Sequence, residues 1–139
     1  MADVAQYKFK LNDPRLWFYR ALVLRVIDGD TIVVLCDKGL NNYSVMKLRL
    51  AGIDAPELRP RAGSTESKEA EKSLGAKATA RLEELVGGRE VMIKTEKTGK
   101  FGRYLASVYP PASEKSANDV LLEEGLAVVY GEKRPWRSE

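Results

Sequence analysis

The sequence predicts a fold that is mainly β with helices (α+β), a five-stranded OB-type barrel with a helix between strands three and four and a short helix after strand five. Three observations lead there. β-type runs at 22–27, 31–36 and 43–51 follow one another with only short turns between them. One long helical stretch, about 66–86, then interrupts the strands. Two further β-type runs, 89–94 and 104–109, and a short capped helix come after it. Antiparallel elements of this number and order suit a small barrel. A ferredoxin-like sandwich would need a crossover helix after its first strand, and residues 22–36 leave no room for one.

Each element has a local cause. Leu, Val and Ile dominate 22–27 and favour a strand, and Asp28-Gly29 is a strong turn signal. The second run ends at Cys36, before turn residues Asp37-Lys38-Gly39 and Asn41-Asn42. In the third, Met46, Leu48 and Leu50 share one face, and Val45, Lys47 and Arg49 the other, by the period of two. Across 66–86, Ala70, Leu74, Ala78, Leu82 and Leu85 mark one apolar stripe. Glu66 and Glu69 lie near the positive end of that helix, and Gly87-Gly88 stops it. Pro110-Pro111 ends the fifth strand, because proline lacks the ladder donor. Ser116 and Asp119 have the spacing of a capping box, Gly125 stops the short helix, and 126–130 reads as a last short β-type run. Residues 1–20 read as a polar lead-in, with Leu16-Trp17-Phe18-Tyr19 packing the first strand. Residues 21–139 read as one domain.

Composition narrows the chemistry. A chain of 139 residues with 44% hydrophobic and 31% charged residues makes a single soluble domain. No stretch approaches the ~18 apolar residues of a membrane span, so no membrane partner is expected. The first residues do not read as a signal peptide, so the expected location is cytoplasmic, or secreted if a leader has been removed. There is no histidine, which excludes imidazole as base or metal ligand. The single cysteine, Cys36, excludes disulfides within the chain and closed thiolate zinc sites. Within an apolar run it reads as a buried, inert thiol. An enzyme of this composition must work with carboxylates, Lys, Arg and hydroxyls, with a hard metal ion bound by oxygen as an option. The net charge of +3 is too small to argue for nucleic acid by itself. Basic residues do concentrate at 1–27, 94–103 and 133–137.

Two groups of residues can carry chemistry. Asp30 follows the first turn, and Asp54 and Glu57 follow the third strand. Pro56 holds Ala55 extended, so the Ala55 carbonyl can serve as a further oxygen ligand. Carboxylates with a carbonyl suit Ca2+ or Mg2+ rather than zinc or copper; the plain alternative is a set of ordinary turn acids. Arg49 and Arg103 form the second group. They fit either a phosphate clamp, with permanent charge and paired donors, or surface ion pairs that contribute little.

Four ordered motifs make the reading specific. They are Val26-Ile27-Asp28-Gly29-Asp30-Thr31, Leu48-Arg49-Leu50-Ala51-Gly52-Ile53-Asp54-Ala55-Pro56-Glu57, Lys100-Phe101-Gly102-Arg103-Tyr104-Leu105-Ala106 and Asn118-Asp119-Val120-Leu121-Leu122-Glu123-Glu124-Gly125-Leu126-Ala127. In order and spacing they closely resemble the staphylococcal-nuclease-like (thermonuclease) family over about residues 21–130. The resemblance implies Ca2+-dependent hydrolysis of DNA and RNA phosphodiesters that leaves a 3′-phosphate. It assigns Asp30, Asp54 and the Ala55 carbonyl to one Ca2+ ion, with Mg2+ or Mn2+ as substitutes. It makes Glu57 the general base or water-orienting group and makes Arg49 and Arg103 the phosphate-binding arginines. Lys97, Lys100, Tyr104 and Tyr130 join them as expected nucleic-acid contacts. Phe101 stands where the family often has Tyr, the third C-terminal helix of the secreted members is expected to be absent or reduced, and residues 1–20 have no counterpart. The expected partners are DNA and/or RNA, met by a monomer. The alternative is an OB-fold nucleic-acid-binding or adaptor domain without useful turnover. Such a binder has no need of three acids beside phosphate.

Overall fold

The computed structural model describes residues 13–61, 63–96 and 104–137. Strands β1 (Phe18–Asp28), β2 (Thr31–Asp37) and β3 (Tyr43–Leu50) form an antiparallel meander. After the two-residue β4 (Ile53–Asp54) comes helix α1 (Thr65–Val86), then β5 (Glu90–Glu96) and β6 (Tyr104–Tyr109). A short α2 (Ala117–Glu123) and β7 (Val128–Val129) complete the order. The sheet closes as β1-β2-β3-β6-β5 with β5 returning to β1, the predicted five-stranded barrel with two helices.

Four details differ from the sequence reading. β1 starts at Phe18 rather than at 22, because Phe18 and Tyr19 already pair with Lys94 and Ile93 of β5. Within the 16–19 cluster only Tyr19 packs against the core; Trp17 and Phe18 stay exposed. The barrel is not wholly antiparallel. Leu48, Arg49 and Leu50 of β3 pair in parallel with Tyr104, Leu105 and Ala106 of β6, since α1 and β5 intervene and bring the chain back in the same sense. The helix stripe is also shifted. α1 buries Glu71, Gly75, Ala78, Leu82 and Val86, whereas Ala70 and Leu74 face outward.

The barrel interior follows the alternation of the strands. Ala21 and Val23, Ile32, Val34 and Cys36, Leu48 and Leu50, Val91 and Ile93, and Ala106 and Val108 point inward and are buried. Burial raises the Cys36 thiol above its ordinary range, as expected of an inert core cysteine. Ser64 caps α1 by accepting the Ser67 N–H, and Ser116 caps α2 by accepting the Asp119 N–H. Asn118 ties α2 to the barrel. Its amide donates to the Ala51 carbonyl (2.8 Å) and the Ala106 carbonyl (3.2 Å), and its oxygen accepts the Val108 N–H (3.1 Å). β7 pairs with β4, and the Tyr130 N–H reaches the Gly52 carbonyl. The chain after α2 is thereby drawn back beside Asp54. Among the described residues no helix is long and apolar enough to cross a membrane.

Candidate active site

The site assembles at the end of the barrel where β1 turns into β2. Gly29 is required there by close approach. A Cβ at this position would lie 2.7 Å from the Ala78 Cβ of α1 and 2.9 Å from the Ala55 Cβ. That pressure buries the turn and Asp30 with it, at 6% exposure. Asp28 accepts the Asp30 N–H (3.1 Å). One Asp30 carboxylate oxygen accepts the Thr31 hydroxyl (3.0 Å), and the other accepts the Ala55 N–H (3.0 Å). Burial, then the neighbouring Asp28 charge, push the Asp30 carboxyl up to about 6, partly opposed by Arg49.

Register brings Arg49 to this corner, because Thr31 pairs with Arg49 across β2 and β3. Its Nη1 lies 3.5 Å from Asp30 Oδ2. Its Nη2 donates to Asp54 Oδ1 and to the Ile53 carbonyl (3.2 Å). The guanidinium is thus held between two carboxylates, with its own side chain 15% exposed. The Tyr130 ring stacks over it at 5.7 Å to the ring centre.

Glu57 is the most open acid of the group, with its side chain 45% exposed. Its backbone N–H donates to Glu71 of α1 (3.0 Å), and Arg137 lies 3.4 Å from its carboxylate. Glu71 is almost fully buried, and Arg137 reaches both of its oxygens at 3.3 and 3.4 Å. That contact holds the Arg137 guanidinium above its ordinary range. Gly75 lets α1 close on this segment, for a Cβ there would lie 2.6 Å from the Glu57 carbonyl oxygen. Glu71 and Arg137 are the pair that sequence reasoning missed. A carboxylate and a glycine replacing apolar residues on the inner face of a helix were the available signal.

The structure brings Asp30, Arg49, Asp54, Ala55, Glu57 and Tyr130 to one corner of the barrel. Tyr104 borders an adjoining cleft of about 400 Å³ with Asp28, Lys47 and Arg49. Arg103, Lys97 and Lys100 lie outside the described residues. A cleft of about 690 Å³ opens over Arg49, Asp54 and Glu57, walled by Tyr130, Lys133 and Arg134.

The donor set can be tested against a metal. Asp30 and Asp54 lie on either side of the Arg49 guanidinium and offer only oxygen. Among the described residues no three His, Cys, Asp or Glu side chains gather into a ready-made cage. Two carboxylates fit a hard divalent ion that takes its other ligands from water, carbonyls or substrate, and they do not fit a soft ion. A cation beside Asp30 would also favour the charged form that burial disfavours.

Comparison with known proteins identifies the family. The family described as staphylococcal nuclease homologue matches residues 47–139, more than half of the chain. A micrococcal nuclease of Shigella flexneri is 31% identical over 119 residues, which cover 81% of this chain and 59% of that protein. An uncharacterized endonuclease of Escherichia coli O157:H7 is 31% identical over 108 residues, covering 78% of this chain and 59% of its own. A protein called ParB from Escherichia coli is 31% identical over 118 residues, 80% of this chain and 57% of that protein. The chain thus spans somewhat over half the length of these curated relatives. On the barrel, the ordered site residues and the match over 47–139, the chain belongs to the staphylococcal nuclease homologue family.

Proposed function

We propose that this corner of the barrel hydrolyses phosphodiester bonds of DNA or RNA with the help of one Ca2+ ion, leaving a 3′-phosphate. The observation that carries the reading is Arg49 held between Asp30 and Asp54, with Glu57 at the edge of the same cleft. Asp30, Asp54 and the Ala55 carbonyl would hold the ion. When bound, it would supply positive charge against the phosphate and favour ionisation of a coordinated water.

The remaining work belongs to the chain. Arg49, fixed by Asp54 and the Ile53 carbonyl, offers donors to the equatorial phosphate oxygens as charge builds on them. Arg103 is proposed as the second such donor. Glu57 accepts a proton from the attacking water or orients it. Its backbone is fixed by Glu71 while its carboxylate stays open to the cleft. Tyr130, Lys133 and Arg134 line the wall along which a neighbouring nucleotide would lie, with Tyr130 able to stack a base. Lys97, Lys100 and Tyr104 are proposed as further backbone contacts.

The metal assignment is tested by calorimetric titration of Ca2+ into the protein and into Asp54→Asn. Weakened binding by a variant that still unfolds cooperatively is expected; equal affinity would remove Asp54 from the ligand set. The product is tested by end-group analysis. Fragments from which phosphatase releases a 3′-terminal phosphate support the proposed cleavage, and 5′-phosphate ends contradict it.

A further inference from the structure

A second cleft, about 590 Å³, lies on the other side of Glu57, lined by Arg25, Arg59 and Arg61 together with Asp28 and Leu58. We propose that it is a second phosphate subsite, so that a single nucleic-acid strand runs from the Tyr130 wall, past Glu57, into this arginine-lined cleft. The proposal rests on the nuclease reading above and extends it to the path of the substrate.

The pairing of the arginines argues for it. Arg15, Arg20, Arg49, Arg81 and Arg137 each meet a carboxylate. Among the described residues Arg25, Arg59 and Arg61 meet none and make no side-chain hydrogen bond. Arg134, in the cleft across Glu57, is likewise without a carboxylate. Two acids also border the second cleft, Glu57 with Arg137 3.4 Å from it and Asp28 accepting the Asp30 N–H, so its three arginines outnumber its carboxylates. Three exposed guanidiniums around one cleft repel one another, and an anionic chain is the ligand that relieves this.

Local backbone features aim them. β1 carries irregularities between Val23 and Arg25 and again between Val26 and Asp28, on both sides of the Arg25 segment. Such bulges redirect side chains next to a site. Pro60 separates Arg59 from Arg61 and holds Arg59 extended. A strand lying in both clefts has its scissile bond within the chain rather than at an end, which makes internal cleavage the expected mode.

The test measures binding of a single-stranded oligonucleotide of about 12 residues in EDTA, so that no turnover intervenes, as a function of salt. For single strands each lost phosphate contact flattens the slope of log K against log salt by about 0.7. Arg25→Ala/Arg59→Ala/Arg61→Ala should flatten it by about 2, and Arg59→Gln/Arg61→Gln by about 1.4. Lys38→Ala, in the β2–β3 turn at the far end of the barrel, should leave the slope unchanged. The ratio of kcat/KM for the long oligonucleotide over a dinucleotide should also fall in the arginine variants. Variants that melt like the parent yet keep its slope and its length ratio would overturn the subsite. Absence of any binding or cleavage by the parent protein would instead overturn the nuclease reading itself, and this proposal with it.

Discussion

Asp30 concentrates the electrostatics of the site at a single residue. Its carboxyl is pushed up to about 6 by burial and by Asp28, against ~3.9 in an unfolded chain. Between those values the folded protein holds a proton that the unfolded chain has released. Without metal, stability should therefore fall as pH rises from about 4 to about 6 and stay lower above that, by on the order of 3 kcal/mol in full. Urea unfolding of the parent and of Asp30→Asn at several pH values measures this as the difference between the two curves; parallel curves would contradict it. Arg49 makes a different demand. It divides its donors between two carboxylates and a carbonyl, a task for a planar fork that an ammonium cannot repeat. Arg49→Lys should lower kcat by about 10²–10³, read from initial rates at saturating substrate. These residues were legible in the sequence because each sits in a short motif beside a turn, where the chain itself fixes the spacing. Their mutual contacts were not legible, since they depend on the Thr31–Arg49 register and on closure of α1 over Gly29.

At the scale of elements, α1 serves as the support of Glu57 as well as a cover for the barrel. Glu71 accepts the Glu57 N–H and both arms of Arg137, while Gly75 allows the approach. Glu71→Ala would leave the Glu57 N–H without its acceptor and take from the partly buried Arg137 guanidinium the more buried of its two carboxylates. It should cost about 3 kcal/mol of stability, measured by denaturant unfolding. Arg137 matters for chemistry in a separable way, because its charge lies 3.4 Å from the Glu57 carboxylate. Arg137→Ala should lower kcat with little change in KM, and Arg137→Lys should recover part of the loss. An unchanged kcat in Arg137→Ala would mean that the pair only holds the backbone. The order of the barrel strands, the Ser116 cap and the stop at Gly87-Gly88 could be read from periodicity and capping residues, whereas the Ser64 cap of α1 was not so read. The inner face of the first half of α1 could not. A glutamate and a glycine replace the apolar stripe there, and only the packed segment 55–57 explains them.

Across the described part of the molecule, three clefts meet around Arg49, Asp28 and Glu57. The barrel order follows from strand count and loop length, whereas the parallel β3–β6 pair could not be seen in either. It arises because α1 and β5 return the chain to the same end, and it sets Tyr104 beside Leu48 near the site. The β4–β7 pair does the same for Tyr130. The central claim is that these convergent elements form a metal-assisted nuclease and not merely a nucleic-acid-binding barrel. Digestion of single-stranded DNA with Ca2+, with and without chelator, tests it most directly when run on the parent protein beside Glu57→Gln. The account predicts cleavage by the parent that chelator abolishes, and Glu57→Gln that binds the strand normally but turns over at least ~10²-fold more slowly. Equal cleavage by both proteins, or cleavage indifferent to chelator, would contradict it.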